Sequence, residues 1–352
     1  MVGTVYVGVA NYLGAPEGAT TNGFLRLAPG SDDWEQLNNG LPNSVEVRCI
    51  VVHPERPDTV FAGTQNGPYR SDDGGDSWCS LELPGPLQIV WSICLDPRDS
   101  DTLFVGVEGF AIYRSRDGGL NWEKLKVPTP KGVPEMPFPT RVIRLVIDQS
   151  NPDEIYAGLE VNGVVRSLDG GDTWTDISSD LLELAKQDHL QSGEVTDDPN
   201  EGMMDIHSLT VSRSHPGVII LANRMGLFRS VNKGDNWQEI GIGRFSPLTY
   251  ARDVVASPHN PDCLYSALSI AAISDAGSLY RSNDFGESWQ RFDSNLPIES
   301  TLMIVAESVN DSKRIYCAAR GGQVFGTDDS GSTWRTLPLP SGIQGVYGLA
   351  CS

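Results

Sequence analysis

The stretch at residues 71–78 reads SDDGGDSW, and its pattern returns at 115–122 (SRDGGLNW), 167–174 (SLDGGDTW), 230–237 (SVNKGDNW), 282–289 (SNDFGESW) and 327–334 (TDDSGSTW). A shortened copy, GSDDW at 30–34, precedes them. Seven of the eight tryptophans close a copy; Trp91 alone does not. Successive box tryptophans lie 44, 44, 52, 63, 52 and 45 residues apart, and passing from Trp334 through the chain ends to Trp34 adds another 52. A period of this length, repeated seven times, marks one structural unit per copy.

Outward from the box, each unit reads alike. Residues 47–54 (VRCIVVHP) are an apolar strand, ERPD a turn, and TVFAG a second strand. A third strand ends in an aromatic or aliphatic residue followed by Arg-Ser, and WCSLEL after the box is a fourth. Four short strands with turn residues at fixed offsets make one antiparallel sheet. Such a sheet cannot bury both faces alone, so the units stack radially as propeller blades. The sequence therefore predicts an all-β fold, a single seven-bladed β-propeller over residues 1–352. VYGLACS at the C-terminus supplies an inner strand, and MVGTVYVGVA, GFLRLAP and DWEQL supply the other three of its blade, so pairing of the N- and C-terminal strands closes the ring.

Composition narrows the function classes. A length of 352 residues would by itself argue for about two domains, but the repeat overrides that prior. With 26 Lys and Arg against 46 Asp and Glu, the net charge of −20 repels nucleic acid and anionic membrane. No run reaches the ~18 apolar residues of a membrane helix, and the first ten residues lack a basic stretch and a cleavage site, so a soluble cytoplasmic chain is expected, or a secreted one if a leader has been removed. The six cysteines show no metal-binding or redox spacing and read as reduced, buried thiols.

The box, SxDxGx[ST]W, resembles the Asp-box repeat of sialidases, sortilin-type receptors, xyloglucanases and propeller-type photosystem assembly factors, and the resemblance covers the whole chain. Its glycine permits a positive φ, its Ser and Asp satisfy turn amides, and its Trp packs between blades. The carboxylates Asp73, Asp117, Asp169, Asp284 and Asp329 are accordingly read as structural, with Asn232 in the fifth blade. The resemblance is to an architecture and assigns no activity. The Arg-Ile-Pro segment of sialidases is missing, their propellers have six blades, and the Asp-Val-Gly-Gly segment of xyloglucanases is replaced by QNGPY at 65–69. The assembly-factor resemblance implies a non-catalytic scaffold.

Chemistry is sought in the central funnel. Counting back from the second strands aligns Arg48, Trp91, Ile143, His207, Arg252 and Met303, preceded two residues earlier by Glu46, Ile89, Arg141, Asp205, Tyr250 and Thr301. The loop after the second strand aligns Gln65, Glu108, Glu160, Arg224, Leu268 and Arg320 at the same rim. These positions define a candidate anion site. Arg48 and Arg252 form a clamp, His207 is a general acid or base, and Trp91, Tyr250, Arg224, Arg320, Glu160 and Arg144 contribute to the walls. The alternative is that Arg48 pairs with Glu46, that Arg252 pairs with Asp253 or Asp205, and that His207 is a satisfied structural residue. His53, His215 and His259 fall on the far face, and no metal or cofactor site is expected. Residues 178–204 form an insertion with a short helix in SSDLLELAKQ and an acidic stretch. They read either as a lid or as a solvated loop, and Asp197, Asp198 and Glu201 lack calcium-loop spacing.

Two functions remain open. One is a hydrolase or lyase of a small anionic or polar substrate, with His207 moving a proton. The other is a non-catalytic propeller that binds a ligand or a protein partner at the funnel rim.

Overall fold

The computed structural model describes residues 3–352 as seven four-stranded antiparallel sheets arranged as a ring. The inner strands are Val346–Cys351 (blade 1), Val47–Val52 (blade 2), Val90–Asp96 (blade 3), Val142–Ile147 (blade 4), Ile206–Val211 (blade 5), Tyr250–Ala256 (blade 6) and Leu302–Glu307 (blade 7). In blade 1 the order is Val346–Cys351, Val5–Val9, Gly23–Leu27 and Trp34–Gln36, with Val5 opposite Cys351 and Gly8 opposite Gly348. The two ends of the chain thus close the ring by strand pairing, which covers what would otherwise be two bare edges.

The repeat explains why the blades lie so close. Two residues beyond the second-strand aromatic stands Gly8, Gly63, Gly106 or Gly158. A Cβ there would come within 2.5–2.8 Å of Val47, Val90, Val142 or Ile206 at the start of the next inner strand. Glycine lets one sheet rest directly on its neighbour. The arginine near the end of the third strand is a latch between blades. Arg26 reaches the Gly74 carbonyl (2.7 Å) and Asp76, Arg114 reaches the Gly170 carbonyl (2.9 Å) and Asp172, and Arg166 reaches the Lys233 carbonyl (2.6 Å) and Asp235.

Each box is a hydrogen-bonded turn. Ser71 Oγ donates to Asp73 (2.7 Å) and accepts from the Gly75 amide (2.8 Å), while Asp73 accepts from the Ser77 amide and hydroxyl (2.9 and 2.5 Å). Those bonds, led by the Ser77 hydroxyl, hold the Asp73 carboxyl down at about 2. In blade 5 Asn232 keeps the same acceptor geometry for the Asn236 amide (2.9 Å). The indole nitrogens of Trp78, Trp174 and Trp289 donate to the carbonyls of Gly75, Gly171 and Gly286.

The insertion carries the expected helix, Ser179–Leu184, then short turns at Asp188–Leu190 and Glu201–Met204. The Ser178 hydroxyl does not cap that helix; it donates to the Val164 carbonyl (3.2 Å) and accepts from the Val164 amide. Leu181, Ala185, Leu190, Met203 and Met204 are buried against Ile177, Ile206 and Trp237, so the segment is anchored in the core. The cysteines are all free, but Cys79 is exposed on an outer strand, where the sequence reading placed buried thiols. Among the described residues no helix is long and apolar enough to cross a membrane.

Candidate functional site

A β-bulge interrupts the pairing of every inner strand at its start. The register steps from Val47 to Cys49, Val90 to Ser92, Val142 to Arg144, Ile206 to Ser208, Ala251 to Asp253 and Leu302 to Ile304, and Val346 and Gly348 flank the same step in blade 1. A bulge re-aims the extra side chain. Here it turns Arg48, Trp91, Ile143, His207, Arg252, Met303 and Tyr347 into the central channel, where all seven line one narrow cavity of about 140 Å³. Six of these come from the alignment in the sequence. Tyr347 was missed because its blade is split between the two ends of the chain, although VYG at 346–348 matches VRC at 47–49.

Above this tier opens a funnel of about 1050 Å³. Glu46, Gln65, Glu108, Arg141, Glu160, Asp205, Arg224, Tyr250 and Arg320 all line it, as aligned. Leu268 does not. The second strand of blade 6 runs to Ser269, so Leu268 remains inside the sheet and is buried against blade 5. The hairpin beyond it contributes Ala271, Ala272 and Ile273 instead. Glu194 and Val195 of the insertion reach the mouth, as does the loop at 11–15. Leu13 (88% exposed), Val195 (52%) and Ile273 (62%) make the rim unusually apolar.

Most of the cationic charge is already matched. Arg48 bonds Glu46 at 2.5 Å, and Arg141 bridges Glu108 (2.9 Å) and Glu160 (2.6 Å). Arg224 joins Asp205 (2.9 Å) to Glu201 (2.7 Å). Trp91 is 8% exposed, with the Arg48 and Arg141 guanidinium carbons 4.9 and 4.8 Å from its ring centroid and the Tyr347 ring against it edge-on. Its surroundings are protein, so it is not an open stacking wall. Arg320 donates to the Ala272 carbonyl (2.5 Å) and lies over Tyr12. Arg144 lies below the funnel, paired with Asp253.

Arg252 differs. Among the described residues it has no carboxylate within ion-pair distance and makes no side-chain hydrogen bond, while lining both the channel and the funnel. Its Nε is enclosed without a partner. Neither pairing expected from the sequence forms, because Asp253 is held by Arg144 and Asp205 by Arg224.

His207 is enclosed, its side chain 4% exposed. Its Nδ1 lies 2.8 Å from the Ala251 carbonyl, which can only accept, so the proton sits on Nδ1. Nε2 then accepts from the Tyr250 hydroxyl at 3.2 Å, with an Asp205 oxygen at 3.3 Å. Burial lowers the His207 pKa despite Asp205, and burial raises Tyr250 to about 12. Both imidazole nitrogens are occupied by the protein. Two carboxyls are displaced in opposite senses. Burial raises Glu160, with Arg141 opposing it and Asp205 adding to the effect; Asp205, which burial alone would raise, is held low by the Arg224 guanidinium, and by His207 only when its imidazole is protonated.

No family model matches the chain, and no curated protein does. Solved structures do. A GH74 enzyme from Niastella koreensis superposes with a TM-score of 0.60 at 18% identity over 85% of this chain and 46% of its own. The GH74 xyloglucanase from Xanthomonas campestris gives 0.63 at 17% over 88% and 47%. The chain therefore spans about half the length of these enzymes. YCF48 from Cyanidioschyzon merolae gives 0.58 at 17% over 86% of this chain and 87% of its own. A second structure, YCF48 bound to D1 peptide, gives 0.50 at 14%. At such identities the likeness is one of fold, the seven-bladed β-propeller.

Proposed function

We propose that the chain is a binding propeller whose funnel receives a carboxylate-bearing segment of a partner polypeptide, with Arg252 as its anchor. The observation that carries this reading is the Arg252 guanidinium, without an ion-pair or hydrogen-bond partner among the described residues, at the base of a funnel in which Arg48, Arg141 and Arg224 are each paired with carboxylates. An uncompensated cation in a half-buried site costs stability, and an incoming carboxylate removes that cost. The apolar rim of Leu13, Val195 and Ile273 suits the flanking side chains of a peptide better than a sugar or a small free acid. One of the YCF48 structures holds D1 peptide.

The test is calorimetric titration with short apolar peptides, each made with a free and an amidated C-terminus and with and without a single Asp or Glu. Loss of one charge-assisted hydrogen bond is about 1.5–3 kcal/mol, so Arg252→Met should weaken binding of carboxylate peptides roughly 10- to 150-fold. Equal affinity of wild type and Arg252→Met refutes the anchor, and a preference for small free acids over peptides transfers the site to a small-molecule ligand.

A hydrolase reading has one observation in its favour, two carboxyls, Glu160 and Asp205, that line the same funnel and are displaced in opposite senses. It gives the acid role to Glu160, since His207 offers no free nitrogen. Turnover of a glycoside by the wild type, abolished in Glu160→Gln, would favour it over binding.

A further inference from the structure

We infer that Arg144 is the positioning residue that keeps Arg252 free. One place beyond the bulge, the seven inner strands carry Cys49, Ser92, Arg144, Ser208, Asp253, Ile304 and Gly348. Only Arg144 and Asp253 are charged in this tier, and they stand two blades apart. The Arg144 guanidinium spans the intervening blade 5 to reach Asp253. Two other members of the tier serve only their next blade: Ser92 Oγ donates to the Val142 carbonyl (2.7 Å) and Ser208 Oγ to the Val254 carbonyl (3.1 Å).

Asp253 is 1% exposed, and its two oxygens are divided between partners from two other blades. One bonds Arg144 of blade 4, and the other accepts the Val305 amide of blade 7 at 3.1 Å. A buried carboxylate requires a cation. Asp253 directly follows Arg252 in the chain, so without Arg144 the adjacent guanidinium is the cation available to it. The other carboxylates whose charge Arg252 shares the funnel with are also committed, Glu160 to Arg141 and Asp205 to Arg224. Arg144 therefore acts on the funnel without lining it, by withdrawing Asp253 from its neighbour. The consequence for ligand binding rests on the function proposed above; the state of Arg252 does not.

The state of Arg252 is read directly by labelling the folded protein with phenylglyoxal and mapping modified arginines by mass spectrometry, with no ligand present. Wild type and Arg144→Lys should label at Arg252, and Arg144→Met should label about tenfold less, as the guanidinium becomes engaged by a carboxylate. Arg144→Met/Asp253→Asn should recover wild-type labelling, because the competing charge is gone. A merely structural role for Arg144 would leave the labelling of Arg252 unchanged in the folded single variant. Should Arg144→Met not fold, Arg144→Gln gives the same comparison. Unchanged labelling in the folded single variant, or no recovery in the double variant, overturns the inference. The expected labelling pattern with no peptide binding by the wild type overturns only the funnel reading.

Discussion

Glu201 is the residue whose replacement tests the build of the funnel mouth most sharply. Its side chain is fully enclosed, yet it is an anion. It accepts from the amides of Glu194 (3.2 Å), Val195 (3.1 Å) and Thr196 (2.7 Å), from the Thr196 hydroxyl (2.9 Å), and from Arg224 at 2.7 Å. Burial alone would raise its pKa; the Thr196 amide, Arg224 and the Thr196 hydroxyl outweigh that and lower it. In Glu201→Gln the amide oxygen retains some of these donors, but the nitrogen faces others, and Arg224 keeps only Asp205. Charge-assisted bonds are worth about 1.5–3 kcal/mol each and do not add. With its side chain fully enclosed and its charge met by Arg224 and the 194–196 amides, we expect a loss of about 2–3 kcal/mol in all. For a chain of 352 residues that is a fall of roughly 3–4 °C in Tm.

The pH dependence carries the sign. A carboxyl with a depressed folded pKa contributes stability above its unfolded value, near ~4.3, and loses it as pH falls through the folded value. Thermal melts of wild type and Glu201→Gln should differ fully at pH 7 and converge below about pH 4. Amide exchange at 194–196 should quicken in the variant. A Tm difference under about 1 °C at pH 7, or one unchanged at acid pH, would refute the view that this buried anion holds the mouth loop.

Two further outcomes follow from the blade contacts and the turns. Gly106→Val places a Cβ 2.5 Å from both Val142 and Ser92 Oγ, so chemical denaturation should show a loss of about 3 kcal/mol, the upper range for overpacking. His53 is buried, and its Nδ1 accepts from the amides of Glu55 (3.1 Å) and Arg56 (3.0 Å), so the folded protein binds it neutral, and burial lowers its pKa. The unfolded state binds more protons below about pH 6.5, so stability should rise as pH increases toward that value. In His53→Asn, which retains an acceptor, urea midpoints between pH 5 and 7 should show a shallower slope.

The equivalence of turns also explains why His53 carries no site. The matching positions in other blades are Asp96, Asp148, Ser212, Ser257 and Ser308, and each accepts amides of its own turn. A histidine there fills the same acceptor role, which the alignment of blades already indicated by placing it on the far face. The funnel tier was legible for a similar reason: a repeat fixes which residues share a level, so Arg48, Trp91, His207 and Arg252 could be placed together before any coordinates. What the repeat does not encode is pairing within a level. Arg224 reaches Glu201, which comes from an insertion with no counterpart in other blades, and Arg144 reaches a blade that is not its neighbour.

The sequence by itself determined the number of blades, the strand composition of each and the closure through the chain ends, because local turn chemistry repeated seven times leaves one way to bury both faces of every sheet. Only the tertiary structure decided which of the funnel's charges remain free. Ion pairing depends on distances across the ring between residues as far apart as Arg144 and Asp253, and those distances exist only once all seven blades have closed around the channel.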